Sequence, residues 1–171
     1  MKVYFKRLTG NLTITKVLKD ELAKGNDSYT IKVTAPQGVH LGETVSTTKG
    51  AAKVTTAENI QSFEVSLTPK SESWTDTVTI SDLPIGNYQI EEVGVANGLL
   101  TANGKTYTVT ASRNCTVTEN GMAAYTVTNT RKETAKLTVI KTWENASGLV
   151  EIPKSLSVNW KRSDNQTGNI V

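Results

Sequence analysis

Along most of the first 130 positions apolar and polar residues alternate with a period of two, the pattern of half-buried β-strands and not of amphipathic helices. In Leu12-Thr13-Ile14-Thr15-Lys16-Val17 one face receives Leu12, Ile14 and Lys16. The same period within Leu83–Glu92 aligns Tyr88, Ile90 and Glu92 and turns Glu91 the other way, and within Ala123–Thr130 it aligns Tyr125, Val127 and Asn129. The alternation predicts strands near residues 11–18, 28–34, 62–68, 75–80, 87–95, 105–111, 114–118 and 122–130. Asn97-Gly98, Asn103-Gly104 and Asn120-Gly121 mark turns, and the last sits between two alternating runs, which predicts a hairpin there. Leu83-Pro84-Ile85-Gly86 reads as a turn, with Pro84 fixing one backbone angle and Gly86 permitting another. Residues 36–61 are rich in Gly, Ser and Thr without a clear period. They read as a loop, an irregular strand pair or one short helix, with a surface excursion the preferred reading.

An internal repeat divides the chain. Leu12-Thr13-Ile14-Thr15-Lys16 recurs 125 residues later as Leu137-Thr138-Val139-Ile140-Lys141, and Tyr29-Thr30-Ile31-Lys32-Val33 has a looser counterpart in Leu156-Ser157-Val158-Asn159-Trp160. The expected organisation is a lead-in over 1–9, a complete β-sandwich module over 10–131 and the first strands of a second module over 132–171, with Trp143 and Trp160 in the core of the latter. Tandem copies joined by short junctions are the mark of a repetitive array.

Composition agrees with an all-β chain: 27 of the 171 residues are Thr and two are Phe, which favours many half-exposed strands over a helical core. A net charge of +3 with no basic cluster interleaved with aromatics gives no reason to expect nucleic acid. Cys115 is the single cysteine, so no internal disulfide forms, and with no identifiable glutamine partner it is read as a passive thiol. His40 is the single histidine, which leaves no His-based triad or multi-histidine metal site; no metal or cofactor is expected. Five Asn-x-Ser/Thr sequons, beginning at Asn11, Asn26, Asn114, Asn145 and Asn165, are what a Thr-rich chain produces by chance. Trp74, between Ser73 and Thr75, is either packed or a recognition residue. No apolar run follows Lys2, Lys6 and Arg7 and none reaches membrane-spanning length, so the sequence is expected to be a fragment or the mature part of a longer protein.

The informative chemistry lies in the three inward polar residues. Lys16, Glu92 and Asn129 fall on apolar strand faces. A buried unpaired charge is costly enough that such groups pair, neutralise or react. The strand ending in Thr15-Lys16, the Leu83-Pro84-Ile85-Gly86-Asn87-Tyr88-Gln89-Ile90-Glu91-Glu92 segment and the closing Val127-Thr128-Asn129-Thr130 together resemble a collagen-adhesin B-type (CnaB, SpaA-like) domain of Gram-positive adhesins and pilins. The resemblance covers about residues 10–131 and implies an Ig-like or prealbumin-like β-sandwich. It further implies an intramolecular isopeptide bond between Lys16 and Asn129 with Glu92 as catalyst, and Lys141 as the matching lysine of the second module. Glu91 remains the competing carboxylate, and the alternation favours Glu92.

Physical chemistry supports such a bond. An amine attacks a carboxamide slowly in water because the amine is protonated, the carbonyl unactivated and ammonia a poor leaving group. Burial disfavours charge, which leaves Lys16 neutral and nucleophilic and Glu92 protonated. Glu92 is then able to polarise the Asn129 carbonyl oxygen and pass a proton to the departing ammonia. The fold supplies the proximity.

The expected role is a structural stalk module of an extracellular, cell-wall-anchored adhesin or pilin, partnered by neighbouring modules of the same surface protein. It is not a turnover enzyme. The alternative is a ligand-binding adhesin domain that recognises a host protein or glycan through residues 36–61.

Overall fold

The computed structural model describes residues 6–20, 25–132, 140, 157–161 and 167–170. Eleven strands build the first compact unit, Met1–Thr134. They are β1 (Thr9–Lys19), β2 (Tyr29–Thr34), β3 (Thr44–Thr47), β4 (Gly50–Ala57), β5 (Ile60–Leu67), β6 (Thr75–Pro84), β7 (Gly86–Glu92), β8 (Leu99–Ala102), β9 (Lys105–Thr110), β10 (Asn114–Val117) and β11 (Met122–Arg131). No helix occurs among the described residues. The strands form one curled sheet in the order β10-β7-β2-β5-β4-β3-β6-β1-β11-β9-β8. Its two halves fold over a shared core, so the all-β sandwich expected from the alternation is the fold found. The second unit, Ala135–Val171, contains the antiparallel pair β12 (Val158–Lys161) and β13 (Thr167–Ile170).

The core follows from the period-two faces. Leu12 and Ile14 from β1, Ile31 and Val33 from β2, Phe63 and Val65 from β5, Val78 and Ile80 from β6, Tyr88 and Ile90 from β7, and Tyr125 and Val127 from β11 all lie in one buried cluster. A smaller cluster of Leu18, Tyr29, Leu100 and Tyr107 fills one end of the sandwich. The Pro84–Gly86 segment carries the chain from β6 to β7, that is, from one half of the sheet to the other. Gly86 is required there, because its φ is +154° and a Cβ would stand 2.8 Å from the Pro36 ring.

Two elements differ from the sequence-based expectation. Residues 36–61 are not a surface excursion: β3 and β4 pair with each other, β4 also pairs with β5 and β3 touches β6 at Thr47↔Ile80, so this segment joins the two halves of the sheet. Its turns carry no Asn-Gly signal, since Glu58 and Asn59 take the left-handed φ values of 49° and 63° that close the β4–β5 hairpin. The Asn120-Gly121 turn is present, yet β10 and β11 do not pair: β10 hydrogen-bonds to β7, and β11 lies between β1 and β9. The turn is instead tied to the start of β1 by Asn11 N–H to Gly121 O and Asn120 N–H to Thr9 O. Asn103-Gly104 does make a two-residue hairpin, between β8 and β9.

Candidate functional site

Two strands of one half and one strand of the other bring Lys16, Asn129 and Glu92 together. β1 and β11 run parallel, with Lys16 opposite Val127 and Leu18 opposite Asn129. Asn129 therefore sits two residues further along than Lys16 on the same face, about 7 Å at strand rise. A lysine side chain directed along the strand spans that offset. Glu92, the last residue of β7, reaches in from the facing half of the sheet. One carboxylate oxygen, Oε2, accepts from Lys16 Nζ at 3.0 Å and the other, Oε1, accepts from Asn129 Nδ2 at 2.9 Å. Lys16 and Asn129 are 0% exposed and Glu92 is 6% exposed. Glu91 points outward, with its side chain 68% exposed beside Lys32 at 3.8 Å.

Burial pulls the Lys16 ammonium down from 10.5 to about 8, with the nearby Glu92 carboxylate working against that shift. The Lys16 Nζ also lies 4.8 Å from the centre of the Tyr29 ring, which meets Tyr107 edge-on at 6.2 Å. The carboxylate thus bridges an amine whose charge is poorly tolerated and a carboxamide. Asn129 Oδ1 is buried without a hydrogen-bond partner. Here the arrangement departs from the expected one, in which Glu92 donates to that oxygen. Glu92 instead accepts from Asn129 Nδ2.

A second polar network lies beyond the triad and was not legible in the sequence. The Asp20 carboxylate is buried at the end of β1, where it accepts from Tyr107 Oη at 3.0 Å and from Arg131 Nη1 at 3.1 Å and pairs with Lys105 Nζ at 3.3 Å. Lys105 lies 3.8 Å from Asp27, which also accepts from Asn103 Nδ2 at 2.6 Å. Three donors, two of them cationic, converge on this carboxylate.

The other candidates from the sequence do not join the site. Cys115 is half-buried with Sγ 3.8 Å from Ala124 O, and burial pushes its thiol up. His40 is exposed, and its carbonyl accepts from Arg7. Trp74 is half-buried against the Leu18–Tyr107 cluster, so it is packed and offers no open platform. Lys141 and Trp143 lie outside the described residues. No group of acidic, histidine or cysteine side chains able to hold a metal occurs among the described residues, and no helix among them is long and apolar enough to cross a membrane.

Residues 10–131 match a family described as a domain of unknown function, DUF7601. No curated protein matches the sequence. Among solved structures, the chain is similar to the pilus-presented adhesin Cpa, with a TM-score of 0.50 and 15% identity over 74% of this chain and 28% of that one. It also aligns with the major pilin T3.2 of Streptococcus pyogenes (TM-score 0.43, 12% identity, 73% of this chain and 46% of the pilin). A third alignment is with the minor pilin GBS52 of Streptococcus agalactiae (TM-score 0.40, 16% identity, 78% and 49%). The chain spans less than half the length of each of these proteins. At such identity the likeness to the adhesin is one of fold alone, and a β-sandwich is the fold that the resemblance to collagen-adhesin B-type domains implies.

Proposed function

The chain belongs to the DUF7601 family, whose description assigns no role, and from the chemistry of its core we propose that it is a load-bearing module of an extracellular stalk, locked by an amide bond between Lys16 and Asn129. The observation that carries this reading is the buried Glu92 carboxylate, which holds an amine at 3.0 Å on one oxygen and a carboxamide at 2.9 Å on the other. A buried ion pair seldom improves stability over apolar residues of similar volume. A reaction gives this costly arrangement a purpose.

The proton from Lys16 Nζ passes to Glu92 Oε2 along their hydrogen bond, which leaves a neutral amine and a carboxylic acid. The amine attacks Asn129 Cγ, Glu92 delivers its proton to the departing nitrogen and takes up the second proton that Nζ sheds as the amide forms, and ammonia is lost. Desolvation and fixed geometry take the place of a cofactor. Each chain reacts once, so the module is self-modifying and has no turnover.

The mechanical role follows from where the bond lies. Load entering β1 and leaving β11 crosses at Lys16 and Asn129, and the intervening residues stay outside the load path. Its partners are then neighbouring modules of the same surface protein, in keeping with the 125-residue repeat and with the pilus adhesin whose fold it shares. Attachment to a Gram-positive cell wall is part of the same reading. The competing reading, host-ligand recognition through residues 36–61, loses most of its free loop because β3, β4 and the start of β5 occupy the segment from Thr44 on.

Intact mass and peptide mapping test the proposal. The purified chain should weigh about 17 Da less than its sequence, the mass of one ammonia, and a proteolytic digest should yield a branched peptide joining Lys16 to Asn129. Cyclisation at an Asn-Gly pair also expels ammonia, so the branched peptide is the deciding observation. A full-length mass with both side chains free rejects the bond.

A further inference from the structure

A groove of about 710 Å³ opens on the surface beside the end of β7 and the β9–β10 connection. Its rim includes Asn97 and Arg113, both exposed, while Ile90, Glu92 and Tyr125 on its floor are buried. Glu92 is the triad member that lines it; Lys16 and Asn129 do not. Val109 also lines the groove, is half-buried, and is the direct cross-strand partner of Asn129 on β11. Directly opposed residues share a face with Cβ atoms about 4.5–5.5 Å apart. Val109 therefore borders both the carboxamide and the groove.

The leaving nitrogen lies on this side of the site, since Asn129 Nδ2 is the atom bound to Glu92 Oε1. Resting on the amide-forming reading above, we propose that this groove is the route by which the released ammonia leaves the core, with Val109 setting its width. Forming the Nζ–Cγ bond and breaking Cγ–Nδ2 takes two protons from Nζ, one passing through Glu92 to the leaving nitrogen and one staying on Glu92, so neutral ammonia is released, and bulk water then protonates it. Ammonia sealed beside the new amide would remain a nucleophile able to reverse the step. Escape along the floor of the groove makes the reaction one-way. The same route leaves Glu92 in proton exchange with solvent while the rest of the triad stays dry.

The route is testable on the finished protein by hydrogen–deuterium exchange of the isopeptide N–H, followed by NMR against the backbone amides of Ile14 and Val33. The isopeptide N–H should exchange at least about tenfold faster than those core amides, because it opens locally and not by global unfolding. Val109→Ala should accelerate it further, Val109→Leu should slow it, and Val109→Thr, of equal width, should leave it unchanged, with the Ile14 and Val33 rates steady throughout. An isopeptide N–H that exchanges at the core rate in all four proteins overturns the proposal, as does one whose rate merely follows the melting temperature of each variant. If intact mass reveals no amide bond, the reading of function fails separately, and exchange of the Asn129 Nδ2 protons in the same four proteins still decides whether the groove reaches the site.

Discussion

Lys16 and Asn129 are two residues out of register on neighbouring parallel strands, and Glu92 from the opposite half of the sheet occupies the space their side chains share. A bond across that gap closes a loop of about 110 residues, from near the start of the module to near its end. In the chain-entropy picture a crosslink of that span stabilises by about 4–5 kcal/mol. Asn129→Ala, which leaves the Lys16–Glu92 pair in place, should have the full mass of its own sequence and lose stability of that order in denaturant titration. An unchanged midpoint would mean that the crosslink is absent or without consequence.

Glu92→Gln should fold and yet fail to form the amide, because a carboxamide accepts no proton from Lys16. Glu91→Gln should react like the parent, since its side chain is in solvent. Mass spectrometry of the two variants separates proton handling from packing; equal reactivity in both would remove the catalytic role from Glu92.

The unreacted site should leave a mark on the pH dependence of stability. Lys16 titrates at about 8 when folded and 10.5 when unfolded. Between these values the unfolded chain binds more protons than the folded one, so stability rises with pH across this window. The contribution is complete above the unfolded value and is lost as the pH falls through about 8. Asn129→Ala should thus gain stability from pH 8 to pH 10.5 relative to the double variant Lys16→Met, Asn129→Ala. Comparing the two cancels the tyrosines, which ionise more readily once unfolded and act in the opposite direction. Parallel curves would show that Lys16 is not desolvated.

Asp20→Ala should destabilise by about 2–4 kcal/mol, because it strips a buried carboxylate from Tyr107, Arg131 and Lys105. Lys49→Ala, which removes a half-exposed partner of Asp76, should cost less than about 1 kcal/mol. Thermal melts that rank the two the other way round would show the Asp20 network to be dispensable.

Gly10→Ala should be more damaging than Gly50→Ala despite the latter's φ of +104°. A Cβ on Gly10 would lie 2.1 Å from the Thr118 carbonyl oxygen, in the backbone of the turn that anchors β1, whereas none of the structure lies within 4 Å of the corresponding point at Gly50. Denaturant midpoints compare the steric cost with the conformational one.

The triad was legible because period-two faces betray a polar residue that points inward, and the register that separates Glu92 from Glu91 is carried by Tyr88 and Ile90. β3, β4 and β8 were not, for a physical reason. β4 is exposed along most of its length, β8 has four residues, and neither gives the alternation that a core-facing strand must show. The pairing of β10 with β7 instead of β11 is equally silent, since a turn signal fixes the bend and not the partner. Asp20 sits in the charged run Lys19-Asp20-Glu21, which reads as solvated chain; its burial depends on Tyr107 and Arg131, which arrive from 87 and 111 residues away.

The curled sheet ends at β10 and β8, each four residues long. Backbone groups on an open edge recruit strands from neighbouring molecules, and the tendency grows with edge length. The two terminal strands therefore offer only four residues each for another chain to extend. Copies of this module brought close together then have short terminal edges through which to fuse into a common sheet.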